Sequence, residues 1–393
     1  MNAASPRQPD LVRTADRVIA PTYTRPPVVF EDGDGCWLRS QGGDRYLDLT
    51  TGIAVTSLGH GNATVRDALH EAADGLLHTS NLFHTAAPIR LARALTDRSF
   101  AEQVFFCNSG AEAVEGAIKF CRLARPGRGD VVYFGHSFHG RTLGALAATD
   151  KPSIKEPFEP LTPGFRRAPF DDLDALEIID EDVCAVIVEP VQGEGGVRPA
   201  SSEWLAALRA RCDGVGALLI FDEIQCGLGR TGTLWAHEPS GITPDVMTLA
   251  KPLAGGLPMG AILLGPAVAP HVTPSCHGST FGGGPVVSAV ALAVLERLSD
   301  PELLEGVRVR EAHLRRRLVQ AMQDRIREVR GRGLLLGVKF DRPARDIVRA
   351  ALEHHLLVVP AADDVVRLLP PLDVPLTDLD EAVVRLTRAL DDL

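Results

Sequence analysis

Short apolar runs recur through the middle of this chain, and stretches with helical periodicity separate them. The runs that predict strands are Val104–Cys107, Asp130–Phe134, Ala185–Val188, Ala217–Phe221 and Val246–Leu249. Helical segments lie between them, such as Ser202–Cys212 and a helix expected from Ala111. Strands that alternate with helices form a mostly parallel sheet covered by helices. The sequence therefore predicts an α/β domain, which should bind its ligand at the carboxyl ends of the strands.

The pattern changes after about residue 295, where a smaller α+β domain is expected. Its predicted elements are a long helical stretch Pro301–Arg327, strands Leu334–Phe340, Leu356–Val359 and Val366–Leu368, and a terminal helix Leu376–Leu390. The segment Val28–Leu49 has the turn residues of a hairpin, at Asp32–Gly35 and Gly42–Gly43, and should pack on that same domain. The predicted division is a loose arm over 1–27, a first part of the small domain over 28–50, a large domain over 51–295 and the rest of the small domain over 296–393.

Composition excludes several classes of protein. The 393 residues are 45% hydrophobic, enough for a large core, and the formal net charge of −10 disfavours a nucleic-acid-binding surface. No apolar run approaches the roughly 20 residues that span a bilayer. The chain has seven cysteines, an odd number, and no two of them have CxxC spacing. This pattern argues against a disulfide framework and fits a protein of the reducing cytosol. No histidine cluster has the spacing of a metal site.

A phosphate site is suggested where the first strand meets its helix, at Asn108–Glu112. Ser109 and Glu112 fit a capping box, and a helix N-terminus offers free N–H groups to an anion. Gly110 permits close approach of a ligand to the backbone. An ordinary helix cap would have the same pattern, so this motif alone does not establish a ligand.

Two charged residues follow later strands. Asp222 ends a buried strand, where it could cap a loop or keep a cofactor's ring nitrogen protonated, and Gln225 could bind a ring oxygen. Lys251 lies between an apolar strand and a glycine-rich turn. Desolvation there would lower the pKa of the amine and suit it to nucleophilic chemistry, although a lone lysine is more often a surface residue.

The loop after Asp130–Phe134 holds an aromatic side chain and an arginine three residues apart. Phe138 could stack on a flat ring, and Arg141 could bind a carboxylate with two parallel hydrogen bonds. A core phenylalanine and a surface ion pair would explain the same residues.

The GxGxxG match at Gly227–Gly232 lacks the strand directly before it and the helix directly after it that a dinucleotide site needs.

In combination these stretches resemble the class III aminotransferases of fold type I, over nearly the whole chain from Val28 to Leu390. The motifs that carry the resemblance are Phe105–Ala113, Ser137–Leu143, Glu189–Gly195, Asp222–Gly232, Ala250–Gly256 and His277–Gly282. Within the class the chain is most similar to the acetylornithine aminotransferases. The resemblance implies a large domain with a mostly parallel seven-stranded sheet, a smaller α+β domain built from both termini, and pyridoxal 5′-phosphate as the cofactor.

The resemblance also implies a role for each matching residue. Lys251 would hold the cofactor as a Schiff base and act as the proton-transfer residue, with Asp222 at the pyridinium nitrogen and Gln225 at the phenolic oxygen. Ser109, Gly110 and Ala111 would hold the phosphate, and Phe138 would stack on the ring. Thr280, with Ser279 beside it, would reach the site from the neighbouring subunit of a homodimer. Arg141 and Arg367 would bind substrate carboxylates, and Glu194 would mask Arg367.

The implied reaction is transamination of a terminal amine, with N2-acetylornithine as donor and 2-oxoglutarate as acceptor, in cytoplasmic arginine biosynthesis. Another ω-amine such as 4-aminobutyrate, an aminomutase or racemase reaction, and a cofactor-binding regulator remain alternatives. Ile53 stands where ornithine aminotransferases carry a tyrosine that recognises the free α-amino group, which disfavours free ornithine. The run His84–Pro88 also departs from the family pattern near the substrate mouth, which leaves the acyl group open.

Overall fold

The fold was analysed in a computed structural model that describes residues 8–393, so the first seven residues of the predicted arm lie outside the described part. The helices in chain order are α1 Gln8–Val18, α2 Thr51–Ala54, α3 Ala63–Ala73, α4 Ala86–Thr96, α5 Gly110–Ala124, α6 Leu143–Ala147, α7 Pro152–Lys155, α8 Ser202–Val215, α9 Pro285–Leu298, α10 Pro301–Met322, α11 Ala344–Glu353 and α12 Leu376–Asp391. Within the stretch predicted as a loose arm, α1 is helical, but none of its residues is buried.

Strands fall into a large sheet and smaller ones. They are β1 Phe30–Asp34, β2 Trp37–Ser40, β3 Arg45–Asp48, β4 Gln103–Cys107, β5 Asp130–Phe134, β6 Phe165–Ala168, β7 Val183–Val188, β8 Val191–Gln192, β9 Arg198–Pro199, β10 Leu218–Asp222, β11 Val246–Leu249, β12 Gly260–Leu264, β13 Ile326–Arg332, β14 Leu335–Phe340, β15 Leu356–Leu357, β16 Val359–Pro360 and β17 Val365–Leu368. Each strand predicted in the middle of the chain is present, with bounds shifted by two residues at most.

The large sheet has seven strands in the order β4-β12-β11-β10-β7-β5-β6. Only β12 runs antiparallel to its neighbours, and the other six strands point the same way. The prediction of a mostly parallel seven-stranded sheet is therefore confirmed. The central strands β7 and β10 are buried along their whole length, as expected when helices cover both faces. Their carboxyl ends lie at one edge, where the candidate site is found.

The smaller α+β unit is built from both ends of the chain. In one of its sheets β3 pairs in parallel with β15, so residues 30–48 join the C-terminal elements. A second sheet has the order β13-β14-β17-β16 and carries Arg367 on β17. The helix predicted over Pro301–Arg327 was too long, because α10 ends at Met322 and Ile326 begins a strand that pairs with β14. The exact domain limits stay a prediction.

Candidate active site

A cavity of about 390 Å³ opens at the carboxyl edge of the large sheet. Its walls come from the turns that follow β4, β5, β7, β10 and β11, joined by residues 256–259 and by Val55. The predicted residues that line it are Ser109, Gly110, Ala111, Phe138, Arg141, Asp222, Gln225 and Lys251. Residues distant in sequence meet here because parallel strands bring their carboxyl ends to the same edge.

Lys251 opens a 3-10 turn, Lys251–Ala254, two residues after β11 ends. Its φ of 29° is in the left-handed region, an unusual conformation for a lysine. Burial lowers the pKa of the Lys251 amine, and the charge of Arg367 lowers it further, while Glu194, Asp222 and Glu189 oppose the shift. A neutral amine is therefore more accessible here than on the surface, which suits Lys251 to nucleophilic and base chemistry.

Asp222 is buried at the end of β10 and accepts three hydrogen bonds. His139 donates from Nδ1 to its Oδ2 at 2.7 Å, and Thr248 Oγ1 and the Ile224 N–H donate to its Oδ1 at 3.2 and 3.1 Å. His139 Nε2 is buried without a hydrogen-bond partner, so the ring is held through Nδ1 alone. The three hydrogen bonds fix the orientation of the Asp222 carboxylate at the cavity, where it would pair with a ring nitrogen of the cofactor.

Ser109 caps the 15-residue helix α5. Its Oγ accepts from the Glu112 N–H at 3.2 Å, and the Glu112 carboxylate accepts from the Asn108 N–H at 2.9 Å. The first N–H groups of a helix have no partner within the helix, so Gly110 and Ala111 offer donors to an anion in the cavity. A Cβ on Gly110 would lie 3.0 Å from Ile224 Cδ1, so any other residue here would require the Ile224 side chain to shift.

Phe138 and Arg141 line the cavity from the loop that follows β5. The Arg141 guanidinium lies 5.8 Å from the centre of the Phe138 ring, and Phe138 donates its backbone N–H to Glu189. Arg141 is exposed, and none of the ion pairs within residues 8–393 includes it. Its guanidinium is therefore open to a substrate carboxylate.

Arg367 and Glu194 form the predicted pair. Arg367 Nη2 lies 2.6 Å from Glu194 Oε1, and Arg367 Nη1 donates to Gln225 Oε1 at 2.7 Å. Arg367 Nε is buried without a partner. Because its carbonyl oxygen is engaged by Arg367, Gln225 presents only its amide NH₂ to a ring oxygen of the cofactor.

Ser279 and Thr280 do not line this cavity. The Ser279 hydroxyl accepts from the Gly282 N–H and from Asn108 Nδ2, at 3.0 and 3.3 Å. Thr280 lines a separate cavity of about 220 Å³, together with the segment 78–85 and Phe106. Within one chain, the two residues assigned to the neighbouring subunit therefore stay outside the site.

Two functional residues were missed in the sequence. Glu189 follows β7 directly, and its carboxyl accepts from the Phe138 and Gly193 N–H groups, both at 3.1 Å. Burial raises the pKa of Glu189 from 4.5 to about 7. The second missed residue is His139, which donates a hydrogen bond to Asp222. Glu189 stands at a strand end as Asp222 does, so the same signal could have found it.

The residues present fit pyridoxal phosphate. One cavity holds an amine of lowered pKa, a buried carboxylate facing inward, an aromatic ring and a helix N-terminus. These are the four features that the cofactor's aldehyde, ring nitrogen, ring face and phosphate require. No group of three or more His, Cys, Asp or Glu within residues 8–393 is arranged to hold a metal ion.

Comparisons with known proteins agree with this geometry. The model of the class III aminotransferase family matches residues 18–390. Acetylornithine aminotransferase 1 of Bradyrhizobium diazoefficiens is 46% identical over 380 residues, which are 94% of each chain. The crystal structure of N-acetylornithine aminotransferase from Stenotrophomonas maltophilia is 38% identical, with a TM-score of 0.84 and coverage of 97% of this chain and 98% of that one.

A second solved structure, ornithine aminotransferase from Toxoplasma gondii, is 32% identical with a TM-score of 0.93, over 98% of this chain and 95% of that one. The similarity extends across both the large sheet and the smaller unit. In the part of the chain that the structure describes, no helix is both long and apolar enough to cross a membrane.

Proposed function

The chain belongs to the class III aminotransferases, pyridoxal phosphate enzymes that move an amino group from a donor to a keto acid, and from that premise we propose that its donor is N2-acetylornithine and its acceptor 2-oxoglutarate. The products would be the N-acetylated semialdehyde and glutamate, a step of arginine biosynthesis. The name of the relative from Bradyrhizobium diazoefficiens, which is 46% identical over 94% of each chain, supports this donor.

The observation that carries the proposal is the contrast between the two arginines of the site. Arg141 is open, whereas Arg367 is neutralised by Glu194. N2-acetylornithine carries one carboxylate, far from its reacting amine, and Arg141 alone can bind it. 2-Oxoglutarate carries two carboxylates, one of them next to its reacting carbon, and it therefore needs Arg367 as well as Arg141. Movement of Glu194 away from Arg367 would let one site accept both substrates in turn.

Lys251 is the proposed covalent attachment point and the proton carrier. When bound, pyridoxal phosphate supplies an electron-poor ring that takes up the electron pair released as a proton leaves the carbon next to the amine. Burial lowers the pKa of the Lys251 amine, which removes this proton from the substrate carbon and would deliver it to the cofactor carbon on the other side of the amine nitrogen. Asp222, held by His139, keeps the ring nitrogen protonated.

The remaining residues orient the substrates and the cofactor. Ser109, Gly110 and Ala111 would bind the phosphate at the start of α5, and Phe138 would hold the ring from one face. Gln225 would donate its amide N–H to the phenolic oxygen while it accepts from Arg367. Each polar group of the cofactor then has a partner among the residues that line the cavity.

We propose a homodimer in which Thr280, with Ser279 beside it, completes the phosphate site of the partner subunit. Thr280 lies outside its own chain's site, where it shares surface pockets with the exposed side chains of Leu82 and Phe83 and precedes the exposed Phe281. Such a patch is typical of a subunit interface. Mixing Lys251→Ala with Thr280→Ala chains tests this. Heterodimers with shared sites regain one intact site and activity at low cofactor concentration, whereas sites confined to one chain regain none.

All seven cysteines are free thiols, which supports a reducing compartment such as the cytoplasm.

The donor is tested by supplying the purified enzyme with 2-oxoglutarate and, separately, N2-acetylornithine, ornithine or 4-aminobutyrate. We expect glutamate to form fastest with N2-acetylornithine. Glutamate from 4-aminobutyrate but none from N2-acetylornithine would refute the proposed donor. Turnover of an amine without any keto acid would instead indicate an aminomutase or racemase.

A further inference from the structure

Residues Thr51–Ala54 form a turn of left-handed helix beside the candidate site. Their φ angles are 45°, 61°, 64° and 65° in order, and only Gly52 of the four is a glycine. A positive φ is least favourable for a β-branched residue such as Ile53. A run of such residues persists only where the surrounding structure holds it, and backbone strain of this kind concentrates at functional sites.

The turn lies between the two halves of the site. It packs against the 3-10 turn that begins at Lys251, and the residue after it, Val55, lines the cavity. On its other side the Thr51 hydroxyl donates to the Leu369 carbonyl at 2.9 Å, just beyond the strand that carries Arg367. Ile53, two residues before Val55, remains 38% exposed. The left-handed turn therefore connects the cavity wall at Val55 to the Lys251 turn and to the end of the strand that carries Arg367.

One buried carboxylate holds the turn in place. Asp48 Oδ1 accepts from the Thr50 N–H and the Thr50 hydroxyl, both at 2.7 Å, and from the Thr51 N–H at 3.2 Å. Asp48 Oδ2 lies 2.8 Å from His60 Nε2, which fixes the orientation of the carboxylate. Asp48 itself ends β3 and is buried. Three donors on a single oxygen fix the entry to the turn, a geometry that no other polar side chain at this position would reproduce except asparagine.

We propose that Asp48 is a positioning residue for the amino donor. By holding Thr51–Ala54 in the left-handed form, it sets the position of Val55 on the cavity wall and of the adjoining Ile53. The donor of the proposed function, on which this inference rests, extends from its reacting amine to an acyl group at the far end. It would therefore extend along this wall, whereas the shorter keto acid is held mainly by the two arginines. Loss of Asp48 would weaken donor binding more than acceptor binding.

Three variants test this in the cofactor-loaded enzyme. In Asp48→Ala we expect the KM for the donor to rise about 10-fold or more while the KM for 2-oxoglutarate changes less than about 3-fold, since small misplacements are costly only for the substrate that meets them. Asp48→Asn keeps an oxygen for the three donors and should restore most of the loss. Asp171→Ala is the matched control, because Asp171 also accepts from a backbone N–H and a hydroxyl, both of Ser201, but lies outside the cavity.

A second readout does not depend on the reaction. Hydrogen exchange over residues 48–56 should be faster in Asp48→Ala than in the wild type and unchanged in Asp48→Asn and Asp171→Ala. If Asp48→Ala does not fold, Thr51→Val removes only the bond to Leu369 and should raise the donor KM about 3-fold, within the range for a lost hydrogen bond.

Equal changes in both KM values, or unchanged exchange in the turn, would overturn the proposal. If another amine proves to be the donor, the same ratio is measured with that amine, so failure of the proposed donor and failure of the Asp48 role give different results.

Discussion

Glu194 Oε1 lies 2.6 Å from Arg367 Nη2, and the two partners differ in exposure, 27% for Glu194 and 1% for Arg367. Burial would raise the pKa of Glu194, but the charge and hydrogen bond of Arg367 outweigh this and hold the pKa below its usual value. Glu194 is therefore ionised at neutral pH. Because Arg367 is enclosed and also bound to Gln225, Glu194 is the partner that can move.

Replacement of Glu194 by alanine should change the balance of the two half-reactions. With Arg367 left unmasked, the donor's carboxylate is drawn toward the reacting centre in a wrong orientation. The keto acid, in contrast, no longer has to displace the Glu194 carboxylate from Arg367. We expect the ratio of the donor rate to the acceptor rate to fall at least about 10-fold, the scale of a modest specificity change. Single-turnover absorbance measurements of each half-reaction give this ratio.

Glu381→Ala provides the control for Glu194→Ala. Glu381 is also partly exposed and paired with an arginine, but it lies on α12, and its partner Arg385 donates to the His355 carbonyl rather than to a cavity residue. This variant should leave the ratio unchanged. A Glu194→Ala enzyme with the wild-type ratio would show that the ion pair does not govern substrate exchange.

Replacement of Lys251 by alanine should remove both the covalent link to the cofactor and the proton carrier. Borohydride reduction followed by peptide mass spectrometry should label Lys251 in the wild type and no lysine in the variant. The transamination rate should fall about 10²–10⁴-fold from the loss of general acid–base catalysis alone. Lys155→Ala is the control, since Lys155 binds Tyr133 and the Ala147 carbonyl away from the cavity. Purified wild-type protein that gains no visible absorbance with pyridoxal phosphate would contradict the assignment.

The pKa of Glu189 makes stability depend on pH. Burial raises this pKa from 4.5 to about 7, so between these values the native state binds more protons than the unfolded state. The contribution to stability is fully present below pH 4.5 and is lost as pH rises through 7, by about 3 kcal/mol in total at 1.36 kcal/mol per pKa unit. Unfolding in urea at several pH values should show a decline over this interval.

Glu189→Gln should flatten that decline. Glutamine has no titrating group, but its NH₂ would face one of the two N–H donors, from Phe138 or Gly193, and leave it without an acceptor. The variant should therefore be less stable than the wild type at pH 5 by about 1–3 kcal/mol and should approach it by pH 8. Glu102→Gln, at an exposed position, should keep the wild-type slope. An equal slope in Glu189→Gln would refute the assignment to Glu189.

Much of the large domain could be predicted from local pattern. β5 and β11 have the predicted bounds, because each is a short, mostly apolar run that local residues interrupt: Gly129 and Gly135 for β5, and Asp245 and Lys251 for β11. β12 was not predicted. Its residues Gly260–Leu264 are as apolar as those of its neighbours, but nothing local shows that this strand reverses direction between β4 and β11. The end of α10 was also misplaced, because Ile326 takes part in strand pairing with a segment distant in sequence.

The candidate site shows the same limit. Lys251, Asp222 and Phe138 could be found because each stands next to a recognisable strand end. The contact of His139 with Asp222 could not, because it depends on how the loop after β5 folds back across β7 toward β10. The left-handed turn at Thr51–Ala54 was equally hidden, since only one of its residues is a glycine and its stability comes from Asp48 and Leu369.

Gly193 provides a test of how tightly the site is packed. A Cβ at this position would lie 2.2 Å from Gln225 Oε1 and 2.4 Å from its Cδ, so Gly193→Ala must displace the Gln225 side chain. The displacement breaks the 2.7 Å bond from Arg367 and withdraws the amide from the cofactor's ring oxygen. We expect the affinity for pyridoxal phosphate to fall about 10-fold, equivalent to one lost hydrogen bond of about 1.4 kcal/mol. Equilibrium titration of the cofactor by absorbance measures it.

A double variant separates this mechanism from general damage to the fold. Gln225→Ala vacates the space that a Cβ at position 193 would enter, so adding Gly193→Ala to it should weaken cofactor binding little further. Gly214→Ala is the control, because a Cβ there meets no atom within 4 Å and lies in α8, where alanine should stabilise the helix by about 0.5–1 kcal/mol. Additive losses from Gly193→Ala and Gln225→Ala would show that Gly193 acts through some contact other than Gln225.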